Sequence, residues 1–201
     1  MVDLDLIRRA LAEDLAGGQD ITSVATVSGN ESVVADFVAR KSGVIAGVEM
    51  AEATLREVGV KDIQVHLKDG DAVKAGSVVM TVRGDTRAIL LAERTALNFL
   101  GHLGGIATLT HIWVEAIAGT TCTIRDTRKT TPGMRLLEKA AVVAGGGANH
   151  RLSLSDAALI KDNHIAAAGG VVEAFSKVRA AFPDAFIEIE VDSFEQLKEV
   201  A

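Results

Sequence analysis

The sequence predicts an α/β protein in which an N-terminal α+β sandwich precedes a parallel sheet, either open or closed into a barrel. Two observations predict it. Between Ser32 and Val82 short β runs follow one another through tight turns, and after Gly119 strand and helix patterns alternate. The first pattern builds small sandwiches and the second builds parallel sheets. With 201 residues, 48% hydrophobic and 24% charged, the chain has material for a sizeable core in one or two domains.

Leu4, Ile7, Leu11 and Leu15 recur at steps of three and four, the spacing of an amphipathic helix, which Gly17-Gly18 ends. Asp20-Ile21-Thr22-Ser23 reads as a turn. Four β runs follow, at 33–39, 43–47, 63–67 and 77–82, with a helix from Glu49 to Val58 closed by Gly59. The turn Asp69 to Gly76 resembles that of biotinyl and lipoyl carrier domains, but no Met-Lys pair is present to carry a cofactor, so a plain β-sandwich is the preferred reading. From Asp85 a helix with an apolar face of Ile89, Leu90, Ala96, Leu97 and Leu100 is expected to break at Gly101 and Gly104-Gly105 and to resume from Ile106 to Ile117. Beyond the boundary near Gly119, strands are expected at 121–125, 157–161 and 186–191, and helices at 134–144, 171–181 and 194–200.

Bulk features remove several classes of function. The single cysteine, Cys122, excludes an internal disulfide and fits a reducing cytoplasm. The acidic N-terminus lacks a signal-peptide pattern, and no stretch approaches the length of a membrane helix. At a net charge of −6 a general basic surface for nucleic acid is not expected. An anionic ligand must therefore be held by a local cluster of cations.

Four segments offer such chemistry. Arg125-Asp126-Thr127-Arg128-Lys129-Thr130-Thr131-Pro132-Gly133 lies between a strand and a helix, where α/β proteins place ligand loops. Its arginines can fork onto carboxylates or phosphates, and its lysine can act as a point charge; taken alone it could equally be a solvated loop. Gly145-Gly146-Gly147-Ala148-Asn149-His150-Arg151 joins a triglycine, either a close-approach device or a flexible connection, to two side chains able to donate to a carboxylate. Leu159-Ile160-Lys161-Asp162-Asn163-His164 delivers a lysine at the C-terminal end of an apolar strand. Ile187-Glu188-Ile189-Glu190-Val191 places both carboxylates on one strand face, for a Mg²⁺ or ribose contact in a barrel or for solvent at an edge.

In this order, the four segments resemble the quinolinate phosphoribosyltransferase family, most specifically through Asp126-Thr127-Arg128-Lys129-Thr130-Thr131-Pro132-Gly133. Glu93-Arg94-Thr95-Ala96-Leu97-Asn98 and Glu13-Asp14-Leu15 with Asp20-Ile21-Thr22 extend the likeness to the first helix. The resemblance implies an N-terminal α/β sandwich domain with linking helices over 1–118 and the first part of the catalytic α/β barrel over 119–201. It implies conversion of quinolinate and phosphoribosyl pyrophosphate to nicotinate mononucleotide, pyrophosphate and CO₂ in NAD synthesis. Arg128, Arg151 and Lys161 would line the quinolinate pocket, with His150 beside them and Thr127 in the same lining by position. Lys129 would face pyrophosphate, Glu190 the ribose or a Mg²⁺ bound with phosphoribosyl pyrophosphate, and Arg94 the site of a homodimer partner. Lys129, Lys161 and Glu190 are the expected catalytic residues, and no protein-only metal site is expected.

Two departures accompany the resemblance. Ala140 stands where the family usually has tyrosine after Glu138-Lys139. The chain stops at Ala201, one helix after Glu190, whereas the family's barrel continues with a further acidic residue and 5′-phosphate loops. The expectation is a shortened version of the enzyme with an exposed sheet edge. The rival readings are an inactive fragment that only dimerises or binds, and a molybdenum-transport-associated paralogue of the same fold. His66, His102, His111, His150 and His164 do not have the spacing of a metal-ligand set.

Overall fold

The computed structural model of the chain describes residues 2–201; Met1, the start of the acidic N-terminus, lies outside them. The fold is α/β, and the chain falls into two compact units, Met1–Asn149 and His150–Ala201.

The first unit opens with α1 (Leu4–Leu15), capped by the Asp3 carboxylate and closed by a left-handed Ala16. The expected turn after it is instead a short helix, α2 (Ile21–Thr26). Asp20, read as a turn residue, is its N-cap and accepts from the Thr22 and Ser23 amides. Strands β1 (Ser32–Val38), β3 (Asp62–Val65) and β5 (Val78–Asp85) form an antiparallel sheet in the order β1-β5-β3. A second, two-stranded sheet pairs β2 (Gly43–Val44) with β4 (Ala72–Val73) from the carrier-like turn. Helix α3 (Val48–Glu57) and the long α4 (Thr86–Ala116) complete the sandwich. Phe37, Met80 and Val82 of the sheet meet Ala51 and Leu55 of α3 and Ile89, Ala92 and Ala96 of α4 in one core.

Helix α4 corrects the expectation of a break, since it runs unbroken for 31 residues through Gly101, Gly104 and Gly105. Ile89, Ala92, Ala96, Phe99, Leu103 and Ala107 are all buried and continue one stripe across the glycines. Each glycine costs about 1 kcal/mol against alanine, an intrinsic penalty that packing of the stripe outweighs. Gly104 faces the β2 backbone, where a Cβ would lie 3.5 Å from the Val44 carbonyl in ordinary contact. The second half of α4 packs with α1 and with α5 (Arg135–Ala144) around Ile7, Leu11, Phe99, Leu103, Leu137 and Ala141. The strand expected over 121–125 is reduced to one parallel bridge between Arg125 and Ala148.

The second unit holds the parallel pair β6 (Ala158–Ile160) and β7 (Ile187–Ile189). Between them come α6 (Asp162–Ala168), which the sequence reading lacked, and α7 (Val171–Ala181); α8 (Phe194–Val200) follows. Helix α7 packs on both strands, burying Val171 and Ala174. Among the described residues no helix is long and apolar enough to cross a membrane.

Candidate active site

The motif loop after the Arg125–Ala148 bridge has no regular secondary structure, yet buried side chains fix it. Asp126 is paired with Lys139 of α5, and both side chains are almost wholly out of solvent. With its amide nitrogen turned inward, Asn149 donates to Asp126 Oδ2 at 2.6 Å and to the Lys139 carbonyl at 3.0 Å. At the far end the Thr131 amide donates to Glu138 Oε2 at 3.1 Å, while His102 Nε2 of α4 lies 2.8 Å from Glu138 Oε1. Burial alone would raise the Glu138 carboxyl; the hydrogen bonds from Thr131 and His102 outweigh it and hold the group below the ordinary glutamate range. Arg135 Nε donates to Thr130 Oγ1 at 3.2 Å, and the Lys129 amide to Thr127 Oγ1 at 3.0 Å.

Between these anchors stand the residues expected to bind substrate. Thr127 and Lys129 are exposed and Arg128 is half-buried. Arg128 Nε is fully buried with no hydrogen-bond partner among the described residues. Arg94 is exposed on α4, between the buried residues Ala92 and Thr95. The triglycine is neither a flexible connection nor an open phosphate cradle. A Cβ on Gly145 would lie 2.3 Å from the Ala107 carbonyl, and one on Gly147 would lie 2.9 Å from the Thr110 methyl. These glycines let the end of α5 press against α4.

In the second unit, strand geometry assembles the remaining residues. Leu159 stands opposite Glu188 in the β6–β7 register. Side chains alternate along a strand, so Leu159, Lys161, Glu188 and Glu190 share one face. Lys161 Nζ donates to Glu190 Oε1 at 2.5 Å, and both side chains remain about half exposed. His150 Nε2 lies 2.8 Å from Glu188 Oε2. Arg151 Nη1 donates to the Ala157 carbonyl at 2.8 Å, while its Nε is buried and, like that of Arg128, has no partner among the described residues. His164 is a cap, its Nδ1 accepting the Lys161 amide at 3.0 Å. A cavity of about 440 Å³ beside β6 and α7 has Arg151 in its lining but neither Lys161 nor Glu190.

Each unit thus brings together part of the expected set: Thr127, Arg128 and Lys129 in the first, His150, Arg151, Lys161 and Glu190 in the second. Four supporting residues were not singled out as site residues from the sequence: Asp126, Glu138, Lys139 and Glu188. For Glu188 the signal was the alternation with Glu190. For the α5 pair it was a glutamate and a lysine beside Leu137 on a helix whose other buried positions are apolar. Among the described residues no group of three or more His, Cys, Asp or Glu is placed to hold a metal ion.

Comparison with known proteins gives the same answer over both units. Residues 20–104 match the profile described as Quinolinate phosphoribosyl transferase, N-terminal domain, and residues 106–201 match the C-terminal domain of that description. A nicotinate-nucleotide pyrophosphorylase (carboxylating) of Mycobacterium leprae is 54% identical over 196 residues, covering 96% of this chain and 69% of the relative. A chloroplastic relative of the same name from Arabidopsis thaliana is 42% identical over 200 residues, 97% of this chain and 57% of that one. Among solved structures, NadC from Streptococcus pyogenes superposes with a TM-score of 0.91 at 40% identity, covering 97% of this chain and 70% of that one. The nicotinate-nucleotide pyrophosphorylase of Francisella tularensis gives 0.92 at 37% identity, covering 97% and 69%.

Proposed function

The chain belongs to the quinolinate phosphoribosyltransferase family, and on that premise we propose that it joins quinolinate to the phosphoribosyl group of phosphoribosyl pyrophosphate, yielding nicotinate mononucleotide, pyrophosphate and CO₂ for NAD synthesis. The observation that carries the reading is the pair of arginines, Arg128 and Arg151, each with a buried Nε that has no partner among the described residues. A buried donor on a cation is costly while unpaired, and a carboxylate forked onto it recovers that cost. Quinolinate presents two adjacent carboxylates, and His150 and Lys161 add further donors.

The roles follow from charge. The quinolinate nitrogen attacks the anomeric carbon of the sugar as the bond to pyrophosphate breaks, so positive charge grows on the ribose and negative charge on the leaving group. Lys129, exposed at the tip of the fixed loop, neutralises the departing pyrophosphate. Magnesium bound with phosphoribosyl pyrophosphate would supply positive charge to the leaving group, and Glu190, exposed just after β7, would hold it through a carboxylate oxygen or accept a hydrogen bond from the ribose. Loss of CO₂ then leaves an electron pair beside the quaternised ring nitrogen, which stabilises it until a proton is taken up. The protein chiefly positions the reactants, with no covalent intermediate.

Lys161 and His150 rest on Glu190 and Glu188 before an anion arrives, and substrate carboxylates exchange for those partners. Arg94, exposed on α4, reaches the neighbouring site of a homodimer, and the exposed thiol of Cys122 suits the cytoplasm. The division into a sandwich over 1–118 and a barrel segment over 119–201 belongs to the same reading. Arg128→Ala tests the assignment. It should weaken quinolinate binding by at least about thirtyfold with far-UV dichroism unchanged, and wild-type affinity in the variant would refute it.

A further inference from the structure

We propose that Arg135, Glu138 and Lys139 of α5 are positioning residues that staple the Asp126–Thr131 loop at three points and so present Thr127, Arg128 and Lys129 to the substrates. What the loop binds rests on the reading above; that α5 holds it does not.

The three residues follow the i, i+3, i+4 spacing that gathers side chains on one side of a helix. Each reaches a different part of the loop: Lys139 pairs with Asp126, Arg135 binds Thr130 and Glu138 accepts from the Thr131 amide. Two of them are charged groups under 10% exposed, Glu138 at 8% and Lys139 at 1%. Desolvating such groups is unfavourable, and apolar residues at these positions would serve the α4–α5 core equally well. The arrangement therefore does something that an apolar core would not. It gives polar anchors to a cationic loop that has no strand or helix of its own. The supports are themselves fixed, Glu138 by His102 of α4 and Asp126 by Asn149. Reactive groups have to be held to about half an ångström by such supporting bonds. Because the clamp is the helix next in sequence, forming α5 sets the loop.

The test compares Glu138→Leu and Glu138→Gln with the wild-type chain. Without ligand, trypsin cleavage after Arg128 and Lys129 and deuterium exchange at the Thr131 amide are followed in the folded proteins; quinolinate affinity is then measured by calorimetry. Leucine cannot accept the Thr131 hydrogen bond, whereas the glutamine carbonyl can. Glu138→Leu should speed cleavage and exchange and weaken quinolinate by about tenfold each, and Glu138→Gln should restore all three to within about twofold of wild type. Wild-type cleavage, exchange and affinity in a folded Glu138→Leu would overturn the proposal, as would a glutamine variant as impaired as the leucine one. Should Glu138→Leu fail to fold, Arg135→Met reports on the Thr130 anchor with the same readouts. A wild-type chain that binds no quinolinate would count against the substrate reading alone, since cleavage and exchange decide the clamp without ligand.

Discussion

Replacing Lys139 by methionine removes one charge from an ion pair almost wholly out of solvent while nearly preserving side-chain length and volume. The lysine side chain is 1% exposed and that of its partner Asp126 6%, so water cannot take over the lost contact. A carboxylate left behind in such a place costs about 3–5 kcal/mol, a large part of the roughly 5–15 kcal/mol that holds a typical domain together. For a chain of this size each kcal/mol lowers Tm by about 2–4 °C, which gives a fall of about 6–20 °C. Scanning calorimetry, with urea titration followed by far-UV dichroism, measures both quantities. Adding Asp126→Asn to Lys139→Met removes the second charge but keeps an oxygen for the Asn149 amide, and should recover at least half of the loss. A loss below about 1 kcal/mol from Lys139→Met, the worth of a solvated surface pair, would show that Asp126 does not depend on Lys139.

Two glycines predict effects of opposite sign. Gly145→Ala puts a methyl group 2.3 Å from the Ala107 carbonyl and 2.7 Å from Thr110 Cβ, so it should destabilise by about 1–3 kcal/mol or more through overpacking. Gly101→Ala, on the exposed side of α4 with nothing within 4 Å of the new methyl, should stabilise by about 0.8–1 kcal/mol; urea midpoints check both. Glu138 sets an acid-side response. Its folded pKa is lowered, so its contribution is present above the ordinary glutamate value of about 4.3 and is lost as pH falls through the lower folded value. Urea midpoints taken from pH 6 to pH 3 should therefore fall more steeply for wild type than for Glu138→Gln, and parallel curves would contradict the assignment.

How far the sequence could be read depended on the range of the interactions involved. Local signals were dependable: the three- and four-residue spacing of Leu4, Ile7, Leu11 and Leu15 in α1, the apolar core of β6 and the pattern of α7 all became elements near their expected bounds. Glycine was misjudged when its role was tertiary. Gly101, Gly104 and Gly105 lie inside α4, where a buried stripe outweighs their intrinsic cost. The turn read at Asp20 was a capped helix, because the same side chain that favours turns also caps. Helix α6 was missed since it buries no residue and so leaves no periodic trace. In the candidate site the residues expected to touch substrate were legible as dense runs of cations. Their supports were not, because the bonds from Lys139 to Asp126 and from His150 to Glu188 join positions 13 and 38 residues apart. Only the folded chain brings those together.

Whether the chain carries out the proposed transfer is read from release of labelled CO₂ from quinolinate carrying its label in the 2-carboxylate. The purified chain is supplied with quinolinate and Mg²⁺, with and without phosphoribosyl pyrophosphate. Release should require phosphoribosyl pyrophosphate and disappear in Arg128→Ala. No release from folded protein, or release that continues without phosphoribosyl pyrophosphate, would overturn the assignment.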